Sequence, residues 1–282
     1  MKSDNMIQVK AIEFYITNVC NLTCTNCNRF NNHDFKGRYD FDLEMYKPWA
    51  KKVNFEKITI MGGEPTLHPK LGEWIENISL LWPFSRKRLY TNGTRLVNPN
   101  NHELLAKYNW TVHVNLHGKK NSKMNKEIIR KIKDNWGPLK NLQRQNYALL
   151  ANTNLGASIQ IHYYNLFHDN AFKDQKNFTL HNGDPNKAHH YCTMKTCHHM
   201  IEGKMYKCGV VKLVPDLLKQ KKLPYPGLYD EYEPLTVDNI TQEKVDNLRK
   251  NSIPQCKFCP DQKSSWQTRP FESENKNKKS IK

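Results

Sequence analysis

The sequence predicts an α/β fold: an incomplete barrel of β/α units followed by a small C-terminal β-hairpin/helix domain. Three observations carry this. Short alternating apolar/polar segments recur along the first two thirds of the 282-residue chain, with longer helix-period segments between most of them. They amount to five strands and a candidate sixth, too few for a closed eight-stranded barrel. From Tyr191 onward the rhythm stops, and cysteines around a tight turn take over. The expected divisions are a barrel over 1–190, a cysteine-bearing unit over 191–265 and a basic tail over 266–282.

Residues 12–17 alternate, so Ile12, Phe14 and Ile16 should face helices while Glu13, Tyr15 and Thr17 face the barrel interior. A cysteine-rich loop follows at the strand's C-terminal end, where β/α barrels place their active sites. Residues 31–40 are polar and continue that loop; 42–53 read as a helix kinked or restarted at Pro48. Residues 55–61 form the second strand and run into Gly62-Gly63-Glu64-Pro65, where two residues without Cβ let backbone approach a ligand closely. Pro69 opens a helix over 70–81 with Leu71, Trp74, Ile75, Ile78 and Leu81 on one face. Residues 88–91 form the third strand, closed by a turn at Asn92-Gly93-Thr94, and 101–108 a short helix. Residues 111–118 put Val112, Val114 and Leu116 on one side and His113, Asn115 and His117 on the other, the mark of a wet interior. An amphipathic helix over 121–136 buries Met124, Ile128, Ile129 and Ile132, and 139–150 read as another helix. Residues 158–163 alternate again, with Gln160 and His162 inward; 167–188 are polar and His-rich, a linker or lid.

Cys20, Cys24 and Cys27 have the spacing C-x3-C-x2-C. Three thiolates on one loop can hold three irons of a [4Fe-4S] cube and leave the fourth open to a ligand. Zinc would want a second pair of ligands nearby, and none follows in sequence. Together with Gly62-Gly63-Glu64-Pro65 at the end of the next strand, this loop resembles the radical S-adenosylmethionine (SAM) superfamily. The resemblance implies a partial (β/α)6 barrel of the TIM type and a cluster on Cys20, Cys24 and Cys27 that serves catalysis. It further implies a SAM site using Gly62, Gly63, Glu64 and Pro65, with Thr91 and Asn92 at the third strand's end. Asn115 and His117 stand where the family strand places SAM-side and substrate-side residues. One position departs: Asn26 occupies the site of the family's adenine-packing aromatic.

The later cysteines resemble the twitch domain, the shortened SPASM domain of that superfamily: Gly203-x4-Cys208 ends a hairpin turning at Glu202-Gly203, and Cys256-x2-Cys259 follows. This implies one auxiliary [4Fe-4S] cluster on Cys208, Cys256, Cys259 and either Cys192 or Cys197. Family spacing favours Cys192; a two-residue hairpin turn, which sets Cys197 opposite Cys208, favours Cys197. An auxiliary cluster with four cysteines can accept an electron, which favours a net oxidation of a small polar substrate such as a sugar or aminocyclitol-like alcohol. A ribosomally made peptide, a nucleotide or nucleic acid, and non-catalytic electron transfer are the alternatives. An external electron donor of the flavodoxin or ferredoxin type is implied as partner.

The formal charge is +17, with Lys scattered along the chain rather than gathered in a stripe, so a nucleic-acid partner is not favoured. No apolar run approaches the roughly 20 residues that span a bilayer, and the first ten residues lack the apolar block of a signal peptide. The expectation is a cytoplasmic protein without a membrane partner, whose eight cysteines serve metal rather than disulfides.

Overall fold

Apolar residues at every second position commit the early segments to a sheet that is dry on one face. The computed structural model describes residues 6–24, 26–31, 37–96, 98–117, 122–145, 148–164 and 170–263. The first half runs β1 (Ile7–Val9), β2 (Ile12–Thr17), α1 (Lys47–Lys52), β3 (Val53–Phe55), β4 (Lys57–Gly62), α2 (Leu71–Leu81), β5 (Arg86–Thr91), α3 (Pro99–Lys107), β6 (Thr111–His117) and α4 (Lys123–Trp136). The second runs β7 (Lys140–Gln145), β8 (Ala148–Asn152), β9 (Ser158–Tyr164), β10 (Phe172–Asp174), β11 (Thr179–Leu180), α5 (Pro185–Tyr191), β12 (His198–Ile201), β13 (Lys204–Tyr206), α6 (Val210–Gln220) and α7 (Gln242–Lys250).

The central sheet has the order β13-β12-β2-β4-β5-β6-β9-β8-β7. From β12 to β9 every neighbouring pair is parallel, and antiparallel strands flank this run on both sides. This is the partial TIM-type barrel that the alternation predicts. Its sixth parallel strand is β12, from the C-terminal hairpin, paired along β2 with His199 opposite Glu13. The outward side chains Ile12, Phe14, Ile58, Ile60, Leu89, Val112 and Val114 join Trp49, Trp74 and Ile78 of α1 and α2 in one buried core. Each such aliphatic side chain contributes roughly 1.5–3 kcal/mol on burial. Side-chain caps start the helices: Asn98 accepts from Asn100 N–H (3.0 Å) at α3, and Ser122 accepts from Asn125 N–H (3.2 Å) at α4.

Three segments differ from expectation. Residues 139–150 are no helix: β7 and β8 form an antiparallel hairpin, and β8 pairs with the edge of β9. The cause is the turn after β8, where Gly156 takes a positive φ of 91° and Thr153 N–H donates to Ala157 O at 2.9 Å. This returns the chain directly onto β9, and pairing there outweighs the helix propensity of Leu, Lys, Gln and Arg. Within 167–188, the described part from 170 holds the β10–β11 hairpin and α5, so it is not irregular. Over 42–53 a 3-10 turn at Glu44–Tyr46 precedes the short α1, which restarts with Pro48 in its first turn as expected but ends sooner, because Val53 enters β3. The tail expected over 266–282 lies outside the described residues.

Candidate active site

The cysteine loop hangs from the end of β2 and is tied to the end of β4. Gly63 N–H donates to Thr17 O at 2.7 Å, and Glu64 N–H donates to Val19 O at 2.8 Å. A Cβ on Gly62 would collide with Thr17 O, and one on Gly63 with Val19 O. Their bare Cα atoms first let the loop pack on the strand end. Thr17 Oγ1 accepts from Val19 N–H at 2.9 Å and donates to Arg38 O at 2.7 Å, fixing the loop's start.

Glu64 is fully buried, and all its partners are protein groups. Thr66 N–H, Thr66 Oγ1 and Thr91 Oγ1 donate to its Oε1, and Asn92 N–H donates to its Oε2 at 2.6 Å. The carboxylate thus pins the end of β5 to the end of β4; burial pushes its pKa up and these hydrogen bonds oppose the push. Pro65 opens the 3-10 turn beside it. Asn92 Nδ2 donates to Asn21 Oδ1 at 3.0 Å, and Asn21 Nδ2 donates to Thr94 Oγ1 at 2.7 Å, so the cysteine loop is also tied to β5. Asn26 is buried with a φ of 57° and accepts from Gln175 Nε2.

These parts enclose a cavity of about 500 Å³. Cys20, Cys24, Cys27, Gly62, Gly63, Glu64, Thr91, Asn92, Asn115 and His117 all line it; Pro65 does not. His117 is held neutral at about 4 by burial, and His113, below it on β6, at about 3 by burial, Arg88, His162 and Lys57. Burial, then Cys27 and Cys20, raise the Cys24 thiol pKa, a penalty that a bound metal cation removes by taking the thiolate.

The C-terminal cysteines reach the same cavity. α5 packs against the 3-10 turn Pro254–Phe258, with Gly183 N–H donating to Lys257 O at 2.9 Å and Ser252 Oγ donating to Asn186 Oδ1 at 2.6 Å. Cys192 caps the end of α5, and Cys192, Cys208 and Cys259 line the cavity; Cys256 is not among its lining residues. Cys208 is pushed up to about 11 by burial and then by Cys192, and the Cys259 thiol is raised by burial and by Cys208, Cys192 and Cys256. These four therefore sit within range of one another's charge. Cys197 does not join them: it lies outside the cavity lining, and its thiol is hydrogen-bonded to Glu13. The hairpin keeps the expected register, with Ile201 facing Lys204, but β12 starts after Cys197 and β13 ends before Cys208. Among the described residues no three His, Cys, Asp or Glu side chains converge tightly enough for a single metal ion. Zinc thiolates lie on the order of 4 Å apart; thiols spread around a cavity suit a larger cluster.

Two polar lining residues were not legible in the sequence. Arg29, two residues past Cys27, donates from Nη2 to Glu13 Oε2 at 2.7 Å, and its Nη1 lies 2.6 Å from His199 Nε2. His199 Nε2 is also 2.7 Å from Glu13 Oε2. All three line the cavity. The inward place of Glu13 on its strand was legible; its partners depend on β12 docking beside β2.

Residues 14–144 match the sequence model of the Radical SAM superfamily. This stretch is similar to a radical SAM domain. Three cysteines on one loop fit a [4Fe-4S] cluster that leaves one iron for SAM. Cys20, Cys24 and Cys27 would hold that cluster, which with SAM supplies a hydrogen-abstracting radical. Among proteins similar to this chain is a "Probable GTP 3',8-cyclase" of Methanocaldococcus jannaschii, 34% identical over 73 residues. That match covers 25% of this chain and 24% of the relative. Among solved structures, BtrN in complex with AdoMet and 2-DOIA matches at 16% identity and TM-score 0.50, covering 89% of this chain and 84% of that one. Native anSMEcpe with bound AdoMet and Cp18Cys peptide matches at 19% identity and TM-score 0.35, over 46% of this chain and 41% of that one. No described helix is long and apolar enough to cross a membrane.

Proposed function

We propose that this chain is a radical SAM oxidoreductase that removes hydrogen from a small polar alcohol of the sugar or aminocyclitol class. An auxiliary [4Fe-4S] cluster of the twitch type takes up the electron. One observation carries the reading: Cys192, Cys208 and Cys259 line the same cavity as Cys20, Cys24 and Cys27, with Cys256 beside them. On this reading Cys192 is the fourth ligand and Cys197 is not one. A second cluster facing the reaction cavity suits electron uptake from the substrate and has no evident use in an isomerisation. BtrN, solved in complex with AdoMet and 2-DOIA, has a similar fold over most of the chain, and this supports the substrate class.

The test is iron content and product. Anaerobically reconstituted protein should carry about eight irons, as two cubes require, and with reductant and SAM should release 5′-deoxyadenosine. Cys256→Ala and Cys192→Ala should each lower the count by about four, whereas Cys197→Ala should not. A count of about four in the unaltered protein, or an undiminished count in Cys256→Ala, overturns the auxiliary cluster.

A further inference from the structure

The chain carries a charge of +17, yet Arg29 is the sole Lys or Arg among the described residues lining the cavity. Its guanidinium is already engaged by Glu13 and His199. Burial pushes the Glu13 carboxyl up, but His199 and Arg29 beside it hold it down at about 2, and burial lowers the His199 pKa. The Arg29 charge is thus paired with that of Glu13. The trio joins the cysteine loop, β2 and β12 in the wall of a cavity that both cysteine groups line. Gly209, next to Cys208, makes the room: a Cβ there would stand 2.7 Å from Arg29 Nη1. Well-packed apolar residues would hold this wall at least as well as a buried ion pair does, so stability alone does not call for it. Two of its buried atoms, Arg29 Nε and His199 Nδ1, have no hydrogen-bond partner among the described residues.

Most of the remaining polar lining is carboxamide: Asn26, Asn28, Asn31, Asn92, Asn115 and Asn170. Each carboxamide both donates and accepts, which suits hydroxyl groups. A phosphate buried here would meet no uncommitted cation among the described residues, and an unpaired buried charge is heavily penalised.

We propose that Glu13, Arg29 and His199 form the substrate-holding wall of this cavity, taking a hydroxyl or amino group of an unphosphorylated polyol or amino alcohol and selecting against phosphorylated ligands. This rests on the oxidoreductase reading above and narrows its substrate. Glu13 accepts from the ligand's hydroxyl or ammonium group, and Arg29 and His199 offer the complementary polar atoms.

The experiment is equilibrium binding to the anaerobic, cluster-loaded, SAM-bound enzyme, using glucosamine, myo-inositol, glucosamine 6-phosphate and GTP as probes. Glucosamine or myo-inositol should bind saturably, and at least about tenfold more tightly than either phosphorylated probe. Glu13→Gln, confirmed as folded by its iron content and melting curve, should weaken that binding about tenfold, the loss of one charge-assisted hydrogen bond. Tighter binding of a phosphorylated probe overturns the proposal, as does absence of saturable binding of both unphosphorylated probes, or wild-type affinity in Glu13→Gln. The wild-type ranking stands whether or not the variant folds. Iron count and 5′-deoxyadenosine release report on the oxidoreductase reading separately, so an enzyme that passes those and still prefers phosphate refutes this proposal alone.

Discussion

At the scale of single residues, local spacing shows which side chains bear the chemistry but not what they touch. Cys20, Cys24 and Cys27 follow from spacing, and Asn115 and His117 reach the cavity because alternation puts them inward. Arg29 and His199 were out of reach because their partner, Glu13, is brought to them by a strand pairing between distant parts of the chain. Breaking that buried pair by Glu13→Ala leaves the Arg29 charge uncompensated. The expected loss is about 3–5 kcal/mol, read as a lower midpoint in chemical denaturation. His113 and His117 give a second prediction. Their folded pKa values, about 3 and about 4, lie below the ordinary 6.5. The unfolded chain therefore binds more protons than the folded one between these values and 6.5, and the stability they confer falls as pH drops through that window. Imidazole nitrogen shifts for both should stay constant from pH 8 down to about 5.5, well above their folded pKa values but not above the ordinary one.

At the scale of elements, the strand ends of β2, β4 and β5 form one fitted joint. Glu64 clamps β4 to β5, and the bare Cα atoms of Gly62 and Gly63 admit the cysteine loop. Gly63→Ala should displace that loop and lower the iron content by about four while far-UV circular dichroism keeps its shape. The mistaken helix over 139–150 belongs to the same scale. Its residues favour a helix, and the contrary signal lies just beyond them, in the turn chemistry of Asn152, Thr153, Asn154 and Gly156. Strand-forming pressure there comes from the open edge of β9, which a periodicity argument does not see. Where a cap was written into the sequence the element is local again. Ser122→Ala should cost α4 about 1 kcal/mol, measured as a shift in the thermal midpoint.

At the scale of the whole molecule, the net charge and the cavity tell different stories. A surface of +17 should adhere to polyanions and release them steeply as salt rises. A cavity with a single, already paired Lys or Arg among its described lining residues should ignore them. Added RNA should therefore leave 5′-deoxyadenosine release unchanged at about 0.15 M salt, where screening is strong, and inhibition there would place the charge in function. The parallel barrel was legible because each of its strands carries its own pattern, whereas the source of the sixth strand was not, since a short run such as His198–Ile201 names no neighbour. That pairing has a kinetic corollary. Emerging from the ribosome, β2 must wait for residues from far downstream before its free border is covered. Contacts so distant along the chain form late, and in the interval the nascent molecule offers an uncovered strand to any other half-made copy. Chains stopped just before α5 should accumulate as aggregates, and slowed synthesis of that last third should lower the soluble yield of the intact chain.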